Sequence, residues 1–81
     1  MTRVTLYTAQ ACSLCGPVRR QLENVRAEIP FDLEEVDITG VPDLERAYRE
    51  WLPVVEIDGE RAFVYRVDED DLRAALGGSP M

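Results

Sequence analysis

The stretch that decides the fold is Arg3-Val4-Thr5-Leu6-Tyr7-Thr8-Ala9-Gln10-Ala11-Cys12-Ser13-Leu14-Cys15-Gly16-Pro17-Val18. Residues Arg3 to Thr8 are rich in β-branched and aromatic side chains and contain no breaker, so they read as a strand. Gln10 to Gly16 is a polar turn that carries both cysteines. Beyond it, Leu14, Val18, Leu22, Val25 and Ile29 recur at helical spacing, with Arg19, Arg20, Glu23, Asn24 and Glu28 on the other faces. Gly16-Pro17 restrains the start of that helix. Pro30 stops it by pushing Ile29 out of the helical region.

Working outward, a second strand runs from Phe31 to about Val36 or Ile38, with imperfect alternation and an open register. Thr39 and Gly40 break the chain, and Pro42 suits the first turn of a second helix. Leu44, Ala47, Tyr48 and Trp51 give that helix one apolar stripe, and Glu45 can pair with Arg49 one turn on. Val54 to Asp58 and Arg61 to Tyr65 are short strands joined at Asp58-Gly59, a dipeptide suited to a tight hairpin whose central residues need positive φ. Asp68 looks like a helix cap, with Asp71 three residues later as in a capping box. Leu72, Ala75 and Leu76 then face inward, and Gly77-Gly78 ends the helix. Residues 68–71 are acidic because carboxylates are favoured at a helix N-terminus, a reading preferred here to a carboxylate metal site. The order is β-α-β-α-β-β-α, without repeats or linkers. It implies an α/β fold with a four-stranded mixed sheet and helices on its faces.

At 81 residues the chain has room for one domain, spanning 1–81. Its formal net charge is -7, from 16 acidic and 9 basic residues, all of the latter arginine. Such a surface repels phosphate backbones and anionic lipid, so neither nucleic acid nor membrane is expected as a partner. From Met1 onward no apolar stretch is long enough for a signal peptide or a membrane span, and a cytoplasmic location is expected. Thiols are kept reduced there, so two cysteines three apart read as a reactive or metal-binding pair before a structural staple.

The first turn of a helix has unpaired N–H groups and the positive end of the dipole, and both stabilise a thiolate. With Cys12 at or near the cap and Cys15 one turn deeper beside Val18, Cys12 reads as the attacking nucleophile and Cys15 as the resolving thiol. Arg19 or Arg20 could assist, although both also fit a solvated helix face. The chain has no histidine, which excludes a Cys–His protease. Inert core packing of the cysteines is disfavoured by their position. A zinc site would need about four ligands, hence two chains, and no metal is expected. Leu52-Pro53-Val54 opens the third strand. Either Pro53 is a plain helix stop, or Leu52–Pro53 is cis and presents the Leu52 backbone to an extended substrate. Spacing alone leaves both open.

The strand, the C-x-x-C turn, Leu52-Pro53-Val54 and the Val55-Glu56-Ile57-Asp58-Gly59 hairpin resemble the small bacterial glutaredoxin-like proteins of the thioredoxin superfamily. The likeness runs from about Arg3 to Leu76. It implies a thioredoxin-like fold, a cis Pro53 packed against the cysteine pair, and thiol–disulfide exchange by Cys12 and Cys15. Leu52, Pro53, Val67 and Asp68 would then be substrate-binding positions. The chain departs from the glutaredoxins in carrying Ser13-Leu14 between the cysteines and Ala9 in place of a basic residue. Val67-Asp68 also stand where glutaredoxins have two glycines, ahead of Asp70-Asp71. These departures count against glutathione as the electron donor. The expected function is reduction of protein or small-molecule disulfides by a monomer with no bound cofactor, recharged by thioredoxin reductase or glutathione. The alternative is a binding module or iron–sulfur cluster carrier in which the cysteines ligate a cluster between two chains.

Overall fold

A computed structural model of the chain describes residues 2–10 and 12–77. Met1, Ala11 and Gly78, named above, lie outside the described residues. The elements are β1 (Arg3–Thr8), α1 (Cys15–Glu28), β2 (Asp32–Asp37), α2 (Pro42–Tyr48), a 3₁₀ turn (Arg49–Trp51), β3 (Val54–Ile57), β4 (Glu60–Val64) and α3 (Glu69–Ala75). The four strands lie in the order β2-β1-β3-β4. β2 is parallel to β1, whereas β3 is antiparallel to both β1 and β4. This is the mixed sheet that the element order implies, and it is a thioredoxin-like α/β arrangement.

Alternation along β1 assigns the two faces. Val4 and Leu6 are fully buried and join Val18, Leu22 and Val25 of α1, with Phe31, Val55, Val67 and Leu72, in one apolar cluster. Burying each of these side chains contributes roughly 1.5–3 kcal/mol, so this face supplies most of the driving force. Helix α3 docks here through Leu72, through Gln21 Nε2 donating to the Val67 carbonyl at 3.0 Å, and through Arg73, which reaches Glu28 of α1 at 2.8 Å. The Asp68 carboxylate caps α3 by accepting from the N–H groups of Asp70 and Asp71 at 2.9 and 3.2 Å. The hairpin turn also matches its chemistry, with φ of 52° at Asp58 and 88° at Gly59.

The other face is held differently. Tyr7 of β1 stacks on Tyr48 of α2 with ring centroids 4.0 Å apart. Both hydroxyls donate to the Glu56 carboxylate, Tyr48 at 2.8 Å and Tyr7 at 3.4 Å. Burial, helped by the hydrogen bonds with Tyr7 and Glu56, raises the Tyr48 phenol above its ordinary range. No residue of α2 is buried. Of the expected stripe, Leu44 and Tyr48 are half-buried but Ala47 and Trp51 are exposed. Trp51 does not continue the stripe because the backbone leaves helical geometry at Tyr48, with φ of -123°, before the separate 3₁₀ turn begins. Glu45 turns back to accept from the Gly40 N–H at 2.9 Å instead of reaching Arg49. In α3 likewise Leu72 is buried and Leu76 half-buried, but Ala75 is exposed.

The irregular alternation of β2 follows from its place at the sheet edge. Leu33 packs against the core, while Val36, three residues on, pairs with Tyr7 and lies on the opposite face.

Leu22→Ala should lower the unfolding free energy by roughly 2–5 kcal/mol, read as a fall in the urea midpoint. Arg46→Ala removes an exposed pair with Asp43 and should change it by less than about 0.5 kcal/mol.

Candidate active site

The site forms where β1 hands over to α1. At the end of β1 the Ala9 carbonyl accepts from the Cys12 N–H at 3.2 Å, which turns the chain. The turn is tied to the end of β2 by a short relay. Gln10 N–H donates to Thr39 Oγ1 at 3.1 Å, and Thr39 N–H donates to Asp37 Oδ1 at 2.8 Å. The Thr39 N–H, followed by the Thr39 hydroxyl, holds the Asp37 carboxyl below its ordinary range.

Helix α1 begins at Cys15, with Leu14 in the N-cap position. Of the expected positions at or near the cap, Cys12 therefore takes the nearby one, two residues before Leu14. A helix capped by Cys12 would put Pro17 past the first turn, where its missing N–H breaks a hydrogen bond and its ring meets the Ser13 carbonyl. Starting at Cys15 places Pro17 within the first turn, whose N–H groups have no intrahelical partner in any case. The later start also frees Leu14 from the apolar stripe, and it is 49 % exposed. No side chain caps α1, and its first turn holds no acidic residue. The positive end of the dipole therefore remains available to an anion.

Cys12 and Cys15 are joined in a disulfide, with Cα atoms 5.5 Å apart. Their surroundings differ. Cys15 is only 2 % exposed, on the core side of the helix, whereas Cys12 is half-buried and reaches the surface. Two clefts open at Cys12. One, of about 340 Å³, is lined by Ala9, Cys12, Ser13, Leu14, Arg49 and Leu52. The other, of about 570 Å³, includes Cys12, Cys15, Arg19, Glu35 and Asp37.

The structure fixes the isomer at Pro53. Leu52–Pro53 is cis, and Pro53 is buried. Its carbonyl accepts from the Tyr65 N–H at 2.9 Å. Tyr65 has φ of 70°, unusual for a residue with a side chain. That backbone bond and the Tyr65 hydroxyl, which donates to the Glu50 carbonyl at 2.9 Å, hold it there.

Leu52 is thus brought beside Cys12, but Val67 and Asp68 are not. Val67 is 5 % exposed within the core cluster, and the Asp68 carboxylate is engaged as the α3 cap. Neither residue lines either cleft at Cys12. Arg49, Glu35 and Asp37 do line them, and no sequence motif marks these three. Arg49 reads as a helix-face residue and the two carboxylates as exposed strand residues until β2 is laid along β1. Among the described residues no cluster of three or more His, Cys, Asp or Glu forms a metal-ligating set. No helix there is long and apolar enough to cross a membrane.

Residues 3–77 match the family model described as Glutaredoxin-like domain (DUF836), and the chain belongs to that family. An uncharacterized protein of Mycobacterium tuberculosis is 35% identical over 82 residues, which cover 95% of this chain and 84% of the relative. The X-ray structure of a structural-genomics target protein from X. campestris is 30% identical, with a TM-score of 0.76 over 95% of this chain and 99% of the other. Chloroplastic thioredoxin z shares the fold, with a TM-score of 0.73 at 22% identity over 96% of this chain and 77% of the other.

In the reduced protein a thiol-alkylating reagent should modify Cys12 well before Cys15, as resolved by peptide mass mapping at short times. Asp37→Ala should lower the denaturation midpoint at neutral pH. A depressed carboxyl contributes stability above the ordinary carboxylate range and loses it as pH falls through its folded pKa, so the wild-type advantage should vanish in acid. Denaturation curves of both proteins at neutral and acid pH check the sign.

Proposed function

We propose that this member of the Glutaredoxin-like domain family is a dithiol–disulfide reductase in which Cys12 attacks and Cys15 resolves. The observation that carries the reading is the unequal exposure of two bonded cysteines at the start of α1: Cys12 meets solvent at two clefts, and Cys15 lies behind it against the core.

The reaction begins from the reduced pair. The Cys12 thiolate attacks one sulfur of a substrate disulfide and forms a mixed disulfide, and the other substrate sulfur leaves as a thiolate that takes a proton from water. Cys15, losing its proton, then attacks Cys12 Sγ. The mixed disulfide breaks, the second substrate sulfur leaves and is protonated, and the protein retains the Cys12–Cys15 bond. Two electrons pass from the dithiol to the substrate. Closing the cycle takes two electrons from an external thiol donor, either a thioredoxin-reductase-type partner or glutathione.

Cys15 stays within bonding reach of Cys12 because only Ser13 and Leu14 separate them on a turn that leads directly into the helix. Leu52, which lines the smaller cleft with Cys12, would offer backbone to an extended substrate. Commitment of the Asp68 carboxylate to the α3 cap, together with the burial of Val67, supports a donor other than glutathione. The pairing of Cys15 with Cys12 supports redox turnover over cluster carriage.

Cys12→Ser should abolish reduction of a protein disulfide such as that of insulin, and Cys15→Ser should accumulate a covalent mixed disulfide visible by mass spectrometry. Wild-type turnover by Cys12→Ser would overturn the reading.

A further inference from the structure

The wall of the larger cleft at the disulfide is a charge pair. Arg19 lies four residues after Cys15 on α1, hence on the same helix face. Side chains lean toward a helix N-terminus, which tilts Arg19 back over the turn that holds Cys15. On β2, Leu33, Glu35 and Asp37 share the face that meets α1. Leu33 packs on the core, while Glu35, opposite Leu6 at the sheet edge, reaches the guanidinium instead. Arg19 Nε donates to Glu35 Oε1 at 3.1 Å and Nη2 donates to Oε2, a two-pronged pair between helix and edge strand. Both side chains are partly solvated, and both line the cleft that contains Cys12 and Cys15.

We propose that Arg19 and Glu35 are a charge-setting pair for this dithiol: Arg19 favours the Cys12 thiolate, and Glu35 positions Arg19 while opposing it in charge. The proposal rests on the reductase reading of the same site. Four charged groups line the two clefts at Cys12, namely Arg19 from α1, Glu35 and Asp37 from β2, and Arg49 from the 3₁₀ turn. Two are cationic and two anionic, so the formal charges cancel and the thiolate relies on the helix terminus. Removing either member of the pair leaves the other uncompensated, and the two removals act with opposite sign. A pair that served only to fasten α1 to β2 would shift stability in both variants, in the same direction, and leave the thiol alone. The partial solvation of both side chains makes the effect moderate and sensitive to salt.

The test is the pH midpoint of Cys12 alkylation in the reduced, full-length protein, followed by mass mapping at low ionic strength. Arg19→Gln should raise the midpoint by roughly half a unit. Glu35→Gln keeps an acceptor for Arg19 but drops the charge, and should lower the midpoint by a similar amount. The double variant should return near wild type, and both shifts should shrink at high salt. Arg19→Lys, which keeps the charge without the two-pronged geometry, should stay within a few tenths of a unit of wild type and so separates charge from fastening. Arg20→Gln, one position round the helix, should leave the midpoint in place. Unmoved midpoints in both Arg19→Gln and Glu35→Gln, or shifts of the same sign, would overturn the proposal. Because thiol titration needs no turnover, failure here is distinct from failure of the reductase reading, which shows in the Cys12→Ser assay.

Discussion

A proline in the third position of α1 governs the geometry of the whole site. Pro17 has no N–H to give to an earlier carbonyl, so the helix cannot extend back through the cysteine turn, and it starts at Cys15. From that start, Cys15 shares the inner face with Val18 and is sealed against the core, whereas Cys12 stays in the preceding turn with a surface of its own. The chemical inequality of the two thiols is therefore a consequence of where a helix can begin. The same constraint turns Leu14 outward, so the rim of the Cys12 cleft gains an apolar side chain that would otherwise belong to the core.

The turn needs anchoring, because a loop between a strand and a helix has few contacts of its own. The relay from Gln10 through Thr39 to Asp37 provides it, joining the cysteine turn to the far end of the parallel neighbour β2. On the other side, the segment from Arg49 to Pro53 is braced by Tyr65, which supplies both a backbone donor to Pro53 and a hydroxyl donor to Glu50. The site thus lies between two polar braces, over an apolar core whose main cluster is on the α1 and α3 face. A domain of this size has little stability to spare. Its main apolar cluster is on one side, and the second face combines the Tyr7–Tyr48–Glu56 network with the fully buried Val54 beside Tyr7 in the sheet.

Membership of the Glutaredoxin-like domain family accounts for the frame, within which the surroundings of the cysteines are set by particular residues. The exposed Leu14, the arginine on each side of Cys12 and the carboxylates at the end of β2 are local features. Under the proposed reductase reading, they set the surface and charge that a substrate disulfide would meet.

Much of the molecule is legible in the amino-acid order because local chemistry dictates it. Pro30 ends α1 by forcing Ile29 extended, Pro42 starts α2 with its fixed φ, Asp58-Gly59 supplies the positive φ of a hairpin, Asp68 caps α3 with its own carboxylate, and the spacing of Val18, Leu22 and Val25 sets the buried face of α1. Each acts over a few residues, so no partner need be known. Tertiary structure decided what depends on distant pieces of chain meeting. The alternation of β2 is unreadable until its edge position is known, because only one of its faces packs on the core. The loss of Trp51 from the stripe depends on a backbone break at Tyr48, between α2 and the 3₁₀ turn that leads into Pro53. The convergence of Arg19, Glu35, Asp37 and Arg49 on one disulfide draws on three separate segments. A charge has no periodicity to betray its neighbours. Its environment is set by the fold alone.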